Sequence, residues 1–275
     1  MGVPVSRRGV LRGALLAAAG AGAGVFGTTV LPHWFGWDRP PVTGGYASAA
    51  DNLDAVAHPE VRVRYFVETT EPVVAFTFDD GPGPNYTPMV LDILEREGVP
   101  ATFFMVGRQL TEHADLVRGR LSRHEVGNHS WGHEDLATLD LAGVRANLAR
   151  THDTIRDITG QVPTLLRPPF GHVGGSTLLA ANAMGYTDVV LWSYAMHELR
   201  YRDDTPGQVR DVVDNVRPGA IILAHDLGDE RRLVTIRGLS AMIAGLRARG
   251  FRFVTVSQLL AGAATPTTAP HAGRI

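Results

Sequence analysis

Val73-Val74-Ala75-Phe76-Thr77-Phe78-Asp79-Asp80-Gly81-Pro82 sets the frame for the whole chain. The first six residues are apolar, β-branched or aromatic, with no polar alternation. Such a run predicts a strand buried on both faces, as in a parallel sheet covered by helices. Two adjacent carboxylates close it. Buried without partners they would be costly, and Asp80-Gly81-Pro82 is good turn chemistry, so the pair is either a solvated turn or part of a site. Neighbouring residues at a strand end point to different sides. One carboxylate can then bind a metal while the other acts as a base.

Downstream of this strand, strand and helix patterns alternate. Met89, Val90, Ile93 and Leu94 recur at helical spacing, and Gly98 stops that helix. Further strands are predicted at 101–106, 125–127, 164–167, 187–192, 220–224 and 251–256. Helices are predicted at about 112–123, around 176–184, and at 208–216 and 234–249. Leu141, Val144, Leu148, Ile155 and Ile158 mark one long amphipathic helix ended by Gly160. Strict alternation of this kind predicts an α/β fold with a parallel sheet and outer helices. Seven units without a nucleotide-binding glycine fingerprint favour a (β/α)7-type barrel over an open sheet.

Composition excludes several classes of function. The chain of 275 residues carries 28 acidic and 26 basic side chains, a net charge of -2, which removes the electrostatic case for nucleic acid. With no cysteine there is no disulfide, thiol nucleophile, Fe–S cluster or cysteine-ligated zinc. All the basic residues are Arg, so a Lys Schiff base is also excluded. Any metal must be held by His, Asp or Glu.

The two ends are expected to lie outside the folded domain. Ser6-Arg7-Arg8-Gly9-Val10-Leu11-Arg12 precedes 19 uncharged residues, Gly13 to Leu31, rich in Ala and Gly. A twin Arg pair directly before an apolar run reads as a Tat-type export signal. A run of that length can just span a bilayer, but its many Gly and Ala favour a signal over an anchor and limit membrane contact to a transient one. Ala47-Ser48-Ala49 has the small-residue pattern of a cleavage site. The organisation expected is a signal and linker at 1–49, a lead-in at 50–71, the catalytic domain at 72–261 and a disordered Ala-, Thr- and Pro-rich tail at 262–275.

The unusual polar residues fall at carboxyl ends of predicted strands, which converge on one face of a parallel barrel. His129-x-x-x-His133 has the spacing that places two imidazoles on one helical face, as a metal clamp or as an accidental pair on an exposed turn. With Asp80 it makes a set of two His and one carboxylate suited to zinc, cobalt or non-haem iron. Arg167-Pro168-Pro169-Phe170-Gly171 is a stiff turn. Its guanidinium is either solvated or fixed beside Asp79 as the residue that orients the base, and a backbone N–H near Phe170 can help hold an oxyanion. His225 closes an apolar strand, either as a satisfied core residue or as an acid that protonates a leaving group. His172, after the Pro turn, is placed at the pocket edge. Ser130 has no acid–base pair placed to make it a nucleophile.

Thr77-Phe78-Asp79-Asp80-Gly81-Pro82, His129-Ser130-x-x-His133, Arg167-Pro168-Pro169-Phe170 and Leu223-Ala224-His225 occur in that order. The ordered set resembles the polysaccharide deacetylases of carbohydrate esterase family 4, the NodB-type domain. The resemblance covers about 72–260 and implies a distorted (β/α) barrel and metal-dependent removal of acetyl groups from polysaccharides such as peptidoglycan or chitin-like glycans. It implies that Asp79 is the catalytic base, that Asp80, His129 and His133 hold one divalent metal (zinc first, then cobalt or iron), and that Arg167 positions the base. It implies that His225 is the general acid and that Leu223 lines the pocket for the acetyl methyl, while Phe170 and Trp192 fall in the substrate groove.

One motif departs. Ala195 stands where the family carries an Asp supporting the Arg, and Leu199 replaces a Trp; Glu198 is the residue placed to substitute. Alternatives on the same scaffold are an O-acetyl esterase, a hydrolase of non-sugar amides and a glycan-binding domain without catalysis.

Overall fold

The computed structural model describes residues 60–263. The signal and linker expected at 1–49 lie outside the described residues, as does the tail expected at 262–275 except for its first two residues, which belong to the last helix. The elements in chain order are β1 (Arg62–Arg64), β2 (Val73–Asp79), α1 (Thr87–Glu97), β3 (Thr102–Met105), α2 (Gly107–Glu112), β4 (Glu125–Asn128), α3 (Leu141–Thr159) and β5 (Leu165–Leu166). They continue as α4 (Gly175–Ala183), β6 (Asp188–Val190), β7 (Tyr194–Ala195), α5 (Thr205–Asn215), β8 (Ile221–His225), α6 (Leu233–Ala248), β9 (Arg252–Phe253) and α7 (Val256–Ala263).

The sheet order is β1-β6-β5-β4-β3-β2-β8-β7, with β9 also paired to β2. Every ladder between these strands is parallel. Among the described residues no ladder joins β1 to β7, so the sheet is a half-barrel wrapped by helices, the distorted (β/α)7-type architecture expected. Central strand β2 is buried at every residue, because helices cover one face and the barrel interior the other. Phe78 stacks on Phe103 and Phe76 on Phe253, with ring centroids 5.3 and 5.2 Å apart.

The long helix α3 is capped at both ends as its sequence requires. The Asp140 side chain accepts from Gly143 N at 2.7 Å, and Gly160 takes the left-handed conformation (φ 74°) that ends the helix. Its buried stripe is Val144, Leu148, Thr151 and Ile155.

Four local expectations are corrected. Met89 is exposed, and α1 buries Val90, Leu91 and Leu94 instead. The helix expected at 112–123 is absent: α2 starts earlier, at Gly107, and a 3-10 turn (Ala114–Leu116) follows. Gly119 at φ 75° then bends the chain, although Val117 and Leu121 are still buried. The strand expected at 251–256 shrinks to β9, because Thr255 N donates to Gln258 Oε1 and Gln258 N to Thr255 Oγ1, a capping box that starts α7. Strands β1 and β7 were not anticipated. β1 comes from the lead-in segment and pairs with β6.

His124 is buried and accepts from Ala101 N through Nδ1 at 3.1 Å. Burial pushes its imidazole down to about 4. The folded protein therefore binds this proton less readily than the unfolded chain, whose His titrates near 6.5. Stability is expected to fall by on the order of 3 kcal/mol as pH drops from 6.5 to 4. Urea unfolding across that window, with the His124 titration followed by NMR, checks this.

Candidate active site

The carboxyl ends of β2, β4, β5, β6 and β8 meet at one face of the half-barrel, and each delivers one part of the site. Asp79 ends β2 and lies in register with His225 at the end of β8. Asp79 is buried, and its Oδ1 accepts from Arg167 Nη1 at 2.7 Å. Arg167 has no solvent exposure at all. Its other donors are used by Thr77 Oγ1 (2.7 Å), Val190 O (3.0 Å) and Leu191 O (3.0 Å), and its guanidinium lies 4.1 Å from the centroid of the Phe104 ring. Burial pulls the guanidinium below its ordinary value, and the Asp79 carboxylate opposes that. The pair is a buried ion pair with its hydrogen bonds satisfied, the condition under which such a pair is tolerable.

Asp80 takes φ 80°, a left-handed conformation, and both carboxylates reach toward His129 Nε2, Asp80 through Oδ1 at 3.5 Å and Asp79 through Oδ2 at 3.8 Å. The next residue, Gly81, donates to Asp226 Oδ1 at 3.1 Å, and Asp226 Oδ2 accepts from Thr87 Oγ1 at 2.6 Å. A Cβ on Gly81 would sit 2.3 Å from that carboxylate, so the turn needs glycine. Burial pushes the Asp226 carboxyl up to about 7, with the Thr87 bond opposing and the charge of Asp80 adding.

His129 and His133 do converge on Asp80, but not on a helix. They sit in the loop after β4, folded back by left-handed residues Ser130 (φ 67°) and His133 (φ 64°). The helical spacing was a coincidence of number, and the loop does the work. His129 Nδ1 donates to Arg167 O at 2.6 Å, since a carbonyl can only accept. Its Nε2 lone pair is thereby left facing Asp80 Oδ1 at 3.5 Å, and His133 Nε2 lies 3.1 Å from the same oxygen. Burial would raise the Asp80 carboxyl, but the two His outweigh that and hold it well below the usual carboxylate range.

The residues fit a divalent cation. Asp80 Oδ1 is buried and has no hydrogen bond of acceptable geometry, and one ligand atom from each of Asp80, His129 and His133 lies within 4.8 Å of the others. Bonds of 2.0–2.1 Å in a tetrahedron separate ligands by about 3.3 Å, close to the 3.1 and 3.5 Å seen.

His225 is half-buried. Its Nδ1 has an acceptor, Glu198 Oε1, at 3.3 Å and a donor, Arg232 Nη1, at 2.9 Å. A ring carrying Nδ1–H donates to the first, and only the neutral tautomer with its proton on Nε2 accepts from the second. Arg232 also donates to Glu198 Oε2 at 2.8 Å, and its Nη2 lies 3.8 Å from Asp80 Oδ2. Burial would raise the Glu198 carboxyl, but His225 and Arg232 hold it below its ordinary value. Glu198 thus serves His225. It does not replace the missing support of Arg167, which comes from the carbonyls of Val190 and Leu191 at the end of β6.

The remaining expected residues frame the groove. Phe170, at φ 62° in a 3-10 turn, is exposed and meets the His133 ring edge-on at 4.7 Å. Trp192 backs that turn, where a Cβ on Gly171 would be 3.0 Å from its ring. Leu223 precedes His225 by two residues and so shares its strand face. His172 is tied to Asp135 at 2.7 Å. Arg232 was missed because Asp229-Glu230-Arg231-Arg232 reads as a solvated charged loop. The available signal was its place just after the strand that carries His225. Thr77 opens the first motif, but nothing local in the sequence marks its hydroxyl as a partner of Arg167.

The polysaccharide deacetylase family profile matches residues 66–189. The chain is 35% identical over 212 residues to a peptidoglycan-N-acetylglucosamine deacetylase of Bacillus cereus, spanning 74% of this chain and 94% of that enzyme. A solved peptidoglycan N-acetylglucosamine deacetylase superposes with a TM-score of 0.67 at 27% identity, over 72% of this chain and 92% of the other. A Bacillus anthracis protein described as a mutant of a CE4 family pseudoenzyme with restored enzymatic activity superposes with a TM-score of 0.66 at 28% identity, over 74% and 72% of the two chains. By sequence similarity and fold together, the chain belongs to the polysaccharide deacetylase family.

Proposed function

We propose that this protein is a metal-dependent hydrolase that removes acetyl groups from an N-acetylated polysaccharide such as peptidoglycan or a chitin-like glycan. The observation that carries this reading is a buried, Arg-locked carboxylate beside an orphaned Asp80 oxygen and two oriented His. A bound divalent cation would lower the pKa of a water to about 7 and polarise the acetyl carbonyl. Asp79 accepts the proton of the attacking water at Oδ2, because Oδ1 is occupied by Arg167. His225 protonates the departing sugar nitrogen from Nε2, and the Nδ1–H that it keeps donates to Glu198 before and after the transfer. On this reading Leu223 contacts the acetyl group, and Phe170 and Trp192 flank the sugar.

Since one relative of this fold is described as a pseudoenzyme, the fold alone does not decide catalysis, and the residues of the site carry that reading. Purified protein is expected to release acetate from N-acetylated chitooligosaccharide or peptidoglycan when zinc or cobalt is added, and to stop on chelation. Stoichiometric metal binding with no acetate release from any glycan would overturn the hydrolase reading in favour of a binding domain. Faster release from O-acetyl esters than from amides would reassign the enzyme as an esterase. The twin Arg pair and apolar run at 7–31 support export by the twin-arginine route.

A further inference from the structure

Beyond β7 the chain forms a turn in which His197 takes φ 48°. This turn and the loop after β8 border an open pocket of about 520 Å³ lined by Ala195, His197, Leu199, Arg200, Arg231 and Arg232. Arg232 and Glu198 form its shared wall with the active site, since both touch His225. The pocket therefore lies on the side of His225, where the departing sugar would sit if His225 is the proton donor. Resting on the deacetylase reading, we propose that it is an oxyanion subsite: it seats a carboxylate or phosphate substituent of the sugar being deacetylated, so the preferred substrate is an acidic N-acetylated glycan.

The charge balance and the shape both support this. Three guanidinium groups line the pocket. Glu198 neutralises Arg232 (2.8 Å), and Asp229, outside the lining, engages Arg231 through both carboxylate oxygens. Arg200 is left as the surplus cation. It is exposed, has no ion pair among the described residues, and lies 5.1 Å from the centroid of the Tyr201 ring. Its planar fork matches a carboxylate or phosphate edge. Ala195 contributes almost no side-chain volume at the wall, and Leu199, 64% exposed, offers an apolar side against which a sugar ring can rest. A neutral sugar has no use for the surplus charge.

The test uses the full-length protein loaded with zinc and three probes: an N-acetylated oligosaccharide bearing a carboxylate, its methyl ester, and a phosphate-bearing analogue. Binding is read by calorimetry and turnover by acetate release. The acid is expected to bind about tenfold more tightly than the ester, with the gap closing at high salt. In Arg200→Ala and Arg200→Glu, checked for an unchanged thermal melt, the acid-to-ester ratio should fall to about one. Comparing the carboxylate and phosphate arms tells which substituent the pocket takes. Equal binding of acid and ester, or an undiminished ratio in Arg200→Glu, overturns the subsite. A retained binding preference without acetate release would instead sink the hydrolase reading and leave the subsite standing.

Discussion

Asp79→Asn is expected to lower the rate of acetate release by about 10²–10⁴-fold while leaving zinc affinity nearly unchanged. The two carboxylates at the end of β2 divide the labour. Asp80 Oδ1 faces the His pair, whereas Asp79 gives Oδ1 to Arg167 and leaves Oδ2 toward the His129 side at 3.8 Å. An amide keeps the volume and can still accept from Arg167 through its oxygen, but its nitrogen cannot take a proton. Steady-state kinetics with added zinc and metal titration by calorimetry separate the two functions. An unchanged kcat would show that Asp79 is not the base, and lost zinc binding would show that it is a ligand.

The second large effect is on stability. Arg167→Met is expected to destabilise the fold by about 3–5 kcal/mol, because it strands the buried Asp79 carboxylate without its cation. It also leaves Thr77 Oγ1 and the carbonyls of Val190 and Leu191 without their donor. Adding Asp79→Asn to Arg167→Met should recover part of that loss, since the stranded group is then neutral. Urea unfolding of the wild type, both single variants and the double variant closes the cycle. Strict additivity would mean that the ion pair is not what holds this part of the barrel together.

The fold was readable because the buried strands are long apolar runs and the main helices carry Gly stops at Gly98 and Gly160. The short edge strands were not, because Arg62–Arg64 and Tyr194–Ala195 have too few residues for any periodicity and are defined only by their neighbours. The site residues were legible for a different reason: charged or imidazole side chains directly after apolar strands are rare enough to stand out. What the sequence misrepresented was how they are held. The His pair mimicked a helix and is set by loop conformation, and Glu198 was matched to Arg167 although it pairs with His225. Arg232 was hidden among like-charged neighbours. These are long-range juxtapositions, and local patterns carry no information about them.

Arg167 joins the two halves of the site through one residue: its side chain grips Asp79 and its own carbonyl receives His129 Nδ1–H. The spacing of base and ligand set therefore does not accumulate the slack of two separate strands and their loops. Both are gauged from a single peptide unit, which the following Pro stiffens. Loops around the groove can lengthen, shorten or change charge to suit another glycan while that gauge stays put. A scaffold built this way separates tolerance for new substrates from tolerance for misalignment, and allows the first while denying the second.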